Sequence, residues 1–171
     1  MSIKEKVIAL GFFDGVHLGH AALLRRTVEE AKTRGATPAV FTFDRPPKEV
    51  ITGKPCPLIN SPEDRRDLVR RLFGIREVIM VPFDHEMMTT PWDDFVTNIL
   101  VRRYHAVHLV AGHDHHFGHK NEGSPERLQE KCTELGLGCD IIPKVEMSGT
   151  IVSSTYIRRL VELGQDRKSV V

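Results

Sequence analysis

The residues with the most chemical potential come early. In Gly11-Phe12-Phe13-Asp14-Gly15-Val16-His17-Leu18-Gly19-His20, two imidazoles stand three positions apart around a glycine. A short apolar run, residues 6–11, precedes this stretch, and a helical pattern starts at Gly19, so the stretch reads as a strand-to-helix turn. Gly15 and Gly19 remove the Cβ atoms that would hold a ligand away from the backbone. A new helix also presents unpaired N–H groups and the positive end of its dipole there. That combination suits an anion. Neither a G-x-x-x-x-G-K-[ST] phosphate loop nor a G-x-G-x-x-G dinucleotide turn is present, and imidazole takes the place of lysine. His17 and His20 can donate hydrogen bonds to phosphoryl oxygens, bonds that strengthen as charge builds during displacement. A metal pair and simple packing histidines are the other readings, and the helix dipole disfavours a cation at that end.

Nine histidines occur, six of them between His105 and His119. His113, His115, His116 and His119 suggest zinc by composition, but adjacent His115 and His116 point apart in an extended chain and no cysteine lies near. Such a loop is also suited to polyphosphate, or to a response to pH near about 6. The three cysteines, Cys56, Cys132 and Cys139, are odd in number and lack C-x-x-C spacing. They argue against a disulfide framework and a structural zinc site, and fit a reducing cytoplasm.

These groups need elements to position them. The 171 residues fit one domain, and a formal charge of +1, with 24 Lys and Arg against 23 Asp and Glu, gives no global basic field for nucleic acid or anionic lipid. The longest early apolar stretch, Val7 to Phe13, is too short for a bilayer span or a secretory core. Strands are expected at 6–11, 37–43, 77–81, 106–111 and 139–143. Helices are expected from Gly19 to a stop at Gly35, from a Ser61 cap and Pro62 to Gly74, from Pro91 to Arg103, from Ser124-Pro125 onward, and from Ser153 or Ser154 to about Gly164. Residues 44–62 hold five prolines and a glycine and read as a long surface loop. Alternating strands and helices imply an α/β fold, a doubly wound parallel sheet with helices on both faces. Ligands then bind at the carboxyl ends of the strands, which singles out loops 11–20, 44–60, 112–122 and 144–155.

The segment Gly11 to His20 resembles the H-x-G-H signature of the nucleotidylyltransferase superfamily, and more closely the adenylyltransferase module of bacterial FAD synthetase. The family has Asn where this chain has Phe12. The likeness continues in order through Phe41-Thr42-Phe43-Asp44-Arg45-Pro46-Pro47, Leu58-Ile59-Asn60-Ser61-Pro62-Glu63 and Val81-Pro82-Phe83-Asp84. Gly112 to Gly118 is similar to a G-x-[DN]-F-x-F-G loop with His115 in place of an aromatic. Val152-Ser153-Ser154-Thr155-Tyr156-Ile157-Arg158 is similar to the second phosphate signature, I-S-S-T-x-I-R.

The resemblance implies a cytoplasmic FMN adenylyltransferase of Rossmann-like fold over residues 1–171, turning ATP and FMN into FAD and pyrophosphate, with no riboflavin kinase domain and no kinase activity. It implies catalytic roles for His17, His20, Ser154, Thr155 and Arg158. ATP contacts are implied for Gly11, Phe12, Phe13, Asp14, Gly15, Gly19, Val152 and Ser153, and FMN contacts for Phe43, Pro46, Pro47, Asp114 and Phe117. Phe41 reads better as core. Mg²⁺ accompanies ATP on phosphate and water oxygens; its protein ligands are unassigned, with Asp14 and Asp114 the carboxylates to consider. The partners implied are small molecules, without nucleic acid or membrane. Two alternatives stay open: a related enzyme acting on pantetheine phosphate, nicotinamide mononucleotide or a polyol phosphate, and a nucleotide- or flavin-binding module without turnover.

Overall fold

The computed structural model describes residues 4–14, 18–58, 60–143, 146–147 and 150–151. Five strands, β1 (Lys6–Leu10), β2 (Thr37–Phe43), β3 (Glu77–Val81), β4 (Ala106–Gly112) and β5 (Gly138–Ile142), form one sheet in the order β3-β2-β1-β4-β5. Every neighbouring pair in it is parallel. The chain first builds outward from β1 through β2 to β3, then returns to place β4 on the other side of β1. The carboxyl ends of β1 and β4 therefore diverge into a crevice at this switch point.

The central strands β1, β2 and β4 are buried on both faces, which explains their nearly unbroken apolar character, whereas the edge strands β3 and β5 are half-buried. Val7 and Ala9 of β1 face one core with Val40, Val110 and residues of α1 (Leu18–Arg34), including Leu23, Leu24 and Ala31. Val69 of α3 (Pro62–Phe73) completes that layer. Ile8 and Leu10 face the opposite core with Phe41, Leu109, Phe95 and Leu100, against which Leu128 and Cys132 of α6 (Pro125–Leu135) pack. This alternation with period two is what a doubly wound sheet requires of each strand.

Helix boundaries follow their caps. The Ser61 side chain accepts from the Asp64 N–H at 3.1 Å, and Gly74 closes α3 at φ 73°. Ser124 caps α6 in the same way through the Arg127 N–H. Gly35, at φ 65°, ends α1 as expected.

Three differences from the sequence reading have local causes. Residues 44–62 are not wholly loop, because they contain α2 (Pro47–Thr52) with a proline at its start and left-handed Gly53 at its end. Proline density excludes a helix interior but favours a first turn. A short α4 (His85–Met88), capped by the Asp84 carboxylate on the Met87 N–H, follows β3. The helix expected from Pro91 to Arg103 consists of α5 (Trp92–Asp94) running into a π-helix, Phe95–Arg103. Its buried Phe95, Val96 and Leu100 recur at four to five positions, which suits the wider π turn better than an α turn.

A 3₁₀ turn, His119–Asn121, precedes α6, and two short antiparallel strands, β6 (Glu146–Met147) and β7 (Thr150–Ile151), follow β5. The helix expected after Ser153 or Ser154 lies outside the described residues. Among those residues, no helix is long and apolar enough to cross a membrane.

Candidate active site

The β1–α1 turn is shaped from beneath by Phe13. This residue is 1% exposed and adopts φ 60°, a left-handed conformation that is rare for a bulky side chain. Its ring lies where a Cβ on residue 11 would stand, 2.8 Å from Phe13 Cζ, so only glycine fits at Gly11. The same ring meets the His20 imidazole edge-on, with centroids 5.0 Å apart. Asp14 is wholly buried, and its Oδ1 accepts from the Asn60 N–H at 2.8 Å. Phe13 and Asp14, expected at ATP, thus have their side chains inside the protein, supporting the turn.

Arg65 was not singled out from the sequence. It projects from the first turn of α3 into the protein and is 1% exposed. Its Nη1 donates to the Phe12 carbonyl at 2.9 Å and to Thr42 Oγ1 at 3.1 Å, and its Nη2 donates to the Phe43 carbonyl at 2.9 Å. Thr42 Oγ1 donates to the same Phe12 carbonyl at 2.9 Å. The guanidinium also lies over the Phe12 ring, 4.3 Å from its centroid. One side chain therefore joins the β1–α1 turn to the end of β2. Burial pulls the Arg65 pKa below its ordinary value, while the nearby carboxylates of Asp14 and Asp44 favour its charged form. In sequence it resembles any arginine on a solvated helix face; the usable signal is its i, i+4 spacing to buried Val69.

At the carboxyl ends of β1, β2 and β4 lies a cavity of about 350 Å³. Gly11, Phe12, Phe43, Pro47 and Phe117, all expected at a ligand, line it. Phe41 lines it too, although it is a core residue by burial. Pro46 is buried at the start of α2 and Asp114 is exposed; neither is among the lining residues. Gly15, His17, Val152, Ser153, Ser154, Thr155 and Arg158 lie outside the described residues. Gly19 is in the first turn of α1.

The sequence reading did not place at a ligand Ile51 of α2, Phe83 after β3, or Met87 and Met88 of α4, which line the cavity. Phe83 is brought there by Asp44, whose Oδ1 accepts from the Phe83 N–H at 3.1 Å, and its ring packs on Phe43 at 4.9 Å. The hydrophobic residues at 83, 87 and 88 were visible. The short α4 that brings Met87 and Met88 to the cavity was not.

The histidine loop forms the opposite wall. Phe117 and Gly123 bridge each other through their backbones, and Lys120 and Asn121 between them adopt φ 56° and 54°. The His119 N–H donates to the Thr90 carbonyl at 2.8 Å, tying the loop to the segment before α5. Gly118 has φ 79° and ψ 178°, a region that glycine alone occupies in practice. A Cβ there would stand 2.6 Å from Trp92 Cα. Gly118→Ala is therefore expected to cost about 2 kcal/mol, lowering Tm by about 4–8 °C. Thermal unfolding followed by circular dichroism measures this, and an unchanged Tm would contradict the packing described.

Among the described residues, the loop histidines do not converge as a set of three metal-ligand atoms. The one such grouping is Glu30, His108 and Asp140, against the amino-terminal halves of β4 and β5. Arginine already serves its carboxylates. Arg26 Nε lies 2.9 Å from Asp140 Oδ2, Arg26 Nη2 2.7 Å from Glu30 Oε1, and Arg34 Nε 3.3 Å from Glu30 Oε2. His108 Nε2 is 2.8 Å from Asp140 Oδ2. Burial raises the Asp140 pKa, but hydrogen bonds from Arg26 and His108 outweigh it and hold the carboxyl below its ordinary range. This network fastens α1 to the sheet. Gly138 gives it room, since a Cβ there would collide with His108 Nδ1.

Comparison with known proteins agrees with this arrangement. The chain is 35% identical over 163 residues to the bifunctional riboflavin kinase/FMN adenylyltransferase of Listeria monocytogenes, covering 94% of this chain and 51% of that protein. It is 32% identical over 157 residues to the protein of the same name from Pseudomonas fluorescens, covering 89% and 49%. The chain thus spans about half the length of these two relatives. A solved structure from Streptococcus pneumoniae, described as a macrolide-efflux protein, superposes with a TM-score of 0.85 at 26% identity, over 99% of this chain and 56% of that one. Residues 1–156 match the FAD synthetase family. With that match spanning the sheet, the cavity and the β1–α1 turn, the chain belongs to the FAD synthetase family.

Proposed function

We propose that the chain transfers AMP from ATP to FMN, releasing pyrophosphate and forming FAD. The observation that carries this reading is the mainly apolar, phenylalanine-rich cavity of about 350 Å³ at the switch point of the sheet, lined by Gly11 and Phe12 of the β1–α1 turn. A flat apolar ring fits such a slot, with its phosphate directed toward the helix start. An FMN phosphate oxygen attacks the α-phosphorus of ATP, the new P–O bond forms, and the bond to the bridging oxygen of pyrophosphate breaks. No covalent enzyme intermediate is needed.

In this reading the protein acts by positioning and charge stabilisation. His17 and His20 donate to the phosphoryl oxygens, and Gly15 and Gly19 clear the approach. Ser153, Ser154 and Thr155 hold the β and γ phosphates, and Arg158 adds charge. Phe43, Pro47 and Phe117 enclose the flavin. A divalent ion bound with ATP, Mg²⁺ in this reading, would screen the phosphate charge. Exposed Asp114 is a more accessible carboxylate for it than buried Asp14. ATP chemistry and free thiols suit the cytoplasm.

Incubation with ATP, Mg²⁺ and FMN, resolved by chromatography, is expected to give FAD and pyrophosphate. Adenylation of another phosphorylated acceptor without FAD would transfer the assignment to a related nucleotidylyltransferase. Binding of FMN without turnover under any condition would reduce the chain to a flavin-binding module.

A further inference from the structure

The flavin reading leaves one wall of the cavity unexplained. The surfaces from β1, β2, α4 and the π-helix are dominated by Leu10, Phe41, Phe43, Phe83, Met87 and Phe95. These provide dispersion and water exclusion, and no side-chain hydrogen bond. A flavin ring is apolar at its dimethylbenzene end but carries an imide edge of alternating carbonyl and N–H groups. Burying that edge without partners would weaken binding.

His115 lines the same cavity. It is half-buried and stacks on Phe117 with 5.6 Å between centroids and 19° between planes. Phe117 is itself fixed, 5.7 Å from Phe95 and 6.5 Å from Trp92, so the imidazole plane is held rather than free. Among the described residues, the His115 ring has no hydrogen-bond partner. The neighbouring His116 is engaged, its Nδ1 lying 3.0 Å from the Asp114 carbonyl. A neutral imidazole offers one N–H donor and one lone pair. Resemblance to the family places an aromatic here, a residue that would supply the stacking but neither polar group.

We infer that His115 is a specificity-determining residue whose imidazole pairs with the polar imide edge of the acceptor's heterocycle, while Phe117 behind it fixes the plane of the pair. This rests on the flavin reading and adds to it the group that reads the ring's polarity. In an apolar slot, such a pair discriminates more strongly than contact area does, because a mismatched acceptor leaves buried polar atoms unpaired.

The test compares wild type with His115→Phe, His115→Ala and His115→Asn, measuring FMN affinity by quenching of flavin fluorescence and KM for FMN and ATP separately. His115→Phe keeps the flat ring and the stack on Phe117 and removes only the nitrogens. It is expected to raise Kd and KM for FMN about 10-fold while KM for ATP and Tm stay at wild-type values, and His115→Asn is expected to recover part of the loss. A residue that merely packs would give the reverse, with Phe binding FMN as well as His or better, and that result overturns the inference while leaving FAD formation intact. If wild-type protein makes no FAD and does not bind FMN, the inference falls together with the reading beneath it.

Discussion

Replacing His20 by Ala is expected to lower kcat for FAD formation by about 10²-fold or more, with KM for FMN changed far less. A donor aimed at the phosphoryl oxygens gains most of its strength as charge accumulates on them, so its loss is felt in the transition state more than in binding. The His20 ring is also held in place. It is braced by Phe13, whose left-handed backbone stores about 1–3 kcal/mol and is sustained by burial of the aromatic ring. Initial rates with ATP saturating and FMN varied separate the two parameters. Wild-type turnover in His20→Ala would remove the residue from the chemistry. Phe13→Leu supplies a second check: it leaves the imidazole in place but without its edge-on neighbour, and is expected to lower kcat in the same sense by less.

The second large effect concerns stability. Arg65→Met preserves volume but withdraws two hydrogen bonds from main-chain carbonyls, one from Thr42, and the positive charge that faces Asp14 and Asp44. Removing one side of a buried charged arrangement costs about 3–5 kcal/mol. The lower end applies here, because the Phe12 carbonyl keeps its bond from Thr42. The urea midpoint should fall accordingly, and Arg65→Lys should recover part of the loss, since an ammonium restores the charge but not the planar fork. A midpoint equal to wild type would mean that the guanidinium contributes nothing net. Because Arg65 ties the β1–α1 turn to β2, the Lys variant should also raise KM for ATP and FMN together.

Much of the architecture was legible in the residue order. The strand Thr37–Phe43, the Ser61-Pro62 start and Gly74 stop of α3, and the Ser124 cap of α6 are set by short-range rules: β-branched runs, a hydroxyl before a first turn, a glycine able to adopt positive φ. What escaped depends on longer range. α2 and α4 are too short to show periodicity, and the π register of Phe95–Arg103 is chosen by which side chains reach the core. At the site, Gly11, Phe12, Phe43, Pro47 and Phe117 could be named because the likeness to the family runs through them, in loops that follow the strands. Arg65 was missed, since only its i, i+4 spacing to Val69 separates this inward arginine from its solvated neighbours Arg66 and Arg70. Phe13 and Asp14 sit within a motif yet face away from the cavity, because the left-handed step at Phe13 turns that part of the loop inward.

Leu10, Phe41, Phe95 and Phe117 belong both to the main core cluster and to the cavity lining. No insulating layer separates folding from recognition, so an attempt to reshape acceptor scope from that side would trade directly against melting temperature. Laboratory evolution of this scaffold should begin instead at Ile51, which is 56% exposed and lines the slot, and at Met88. Both lie outside the core clusters, and there substitutions can accumulate without eroding the protein that carries them.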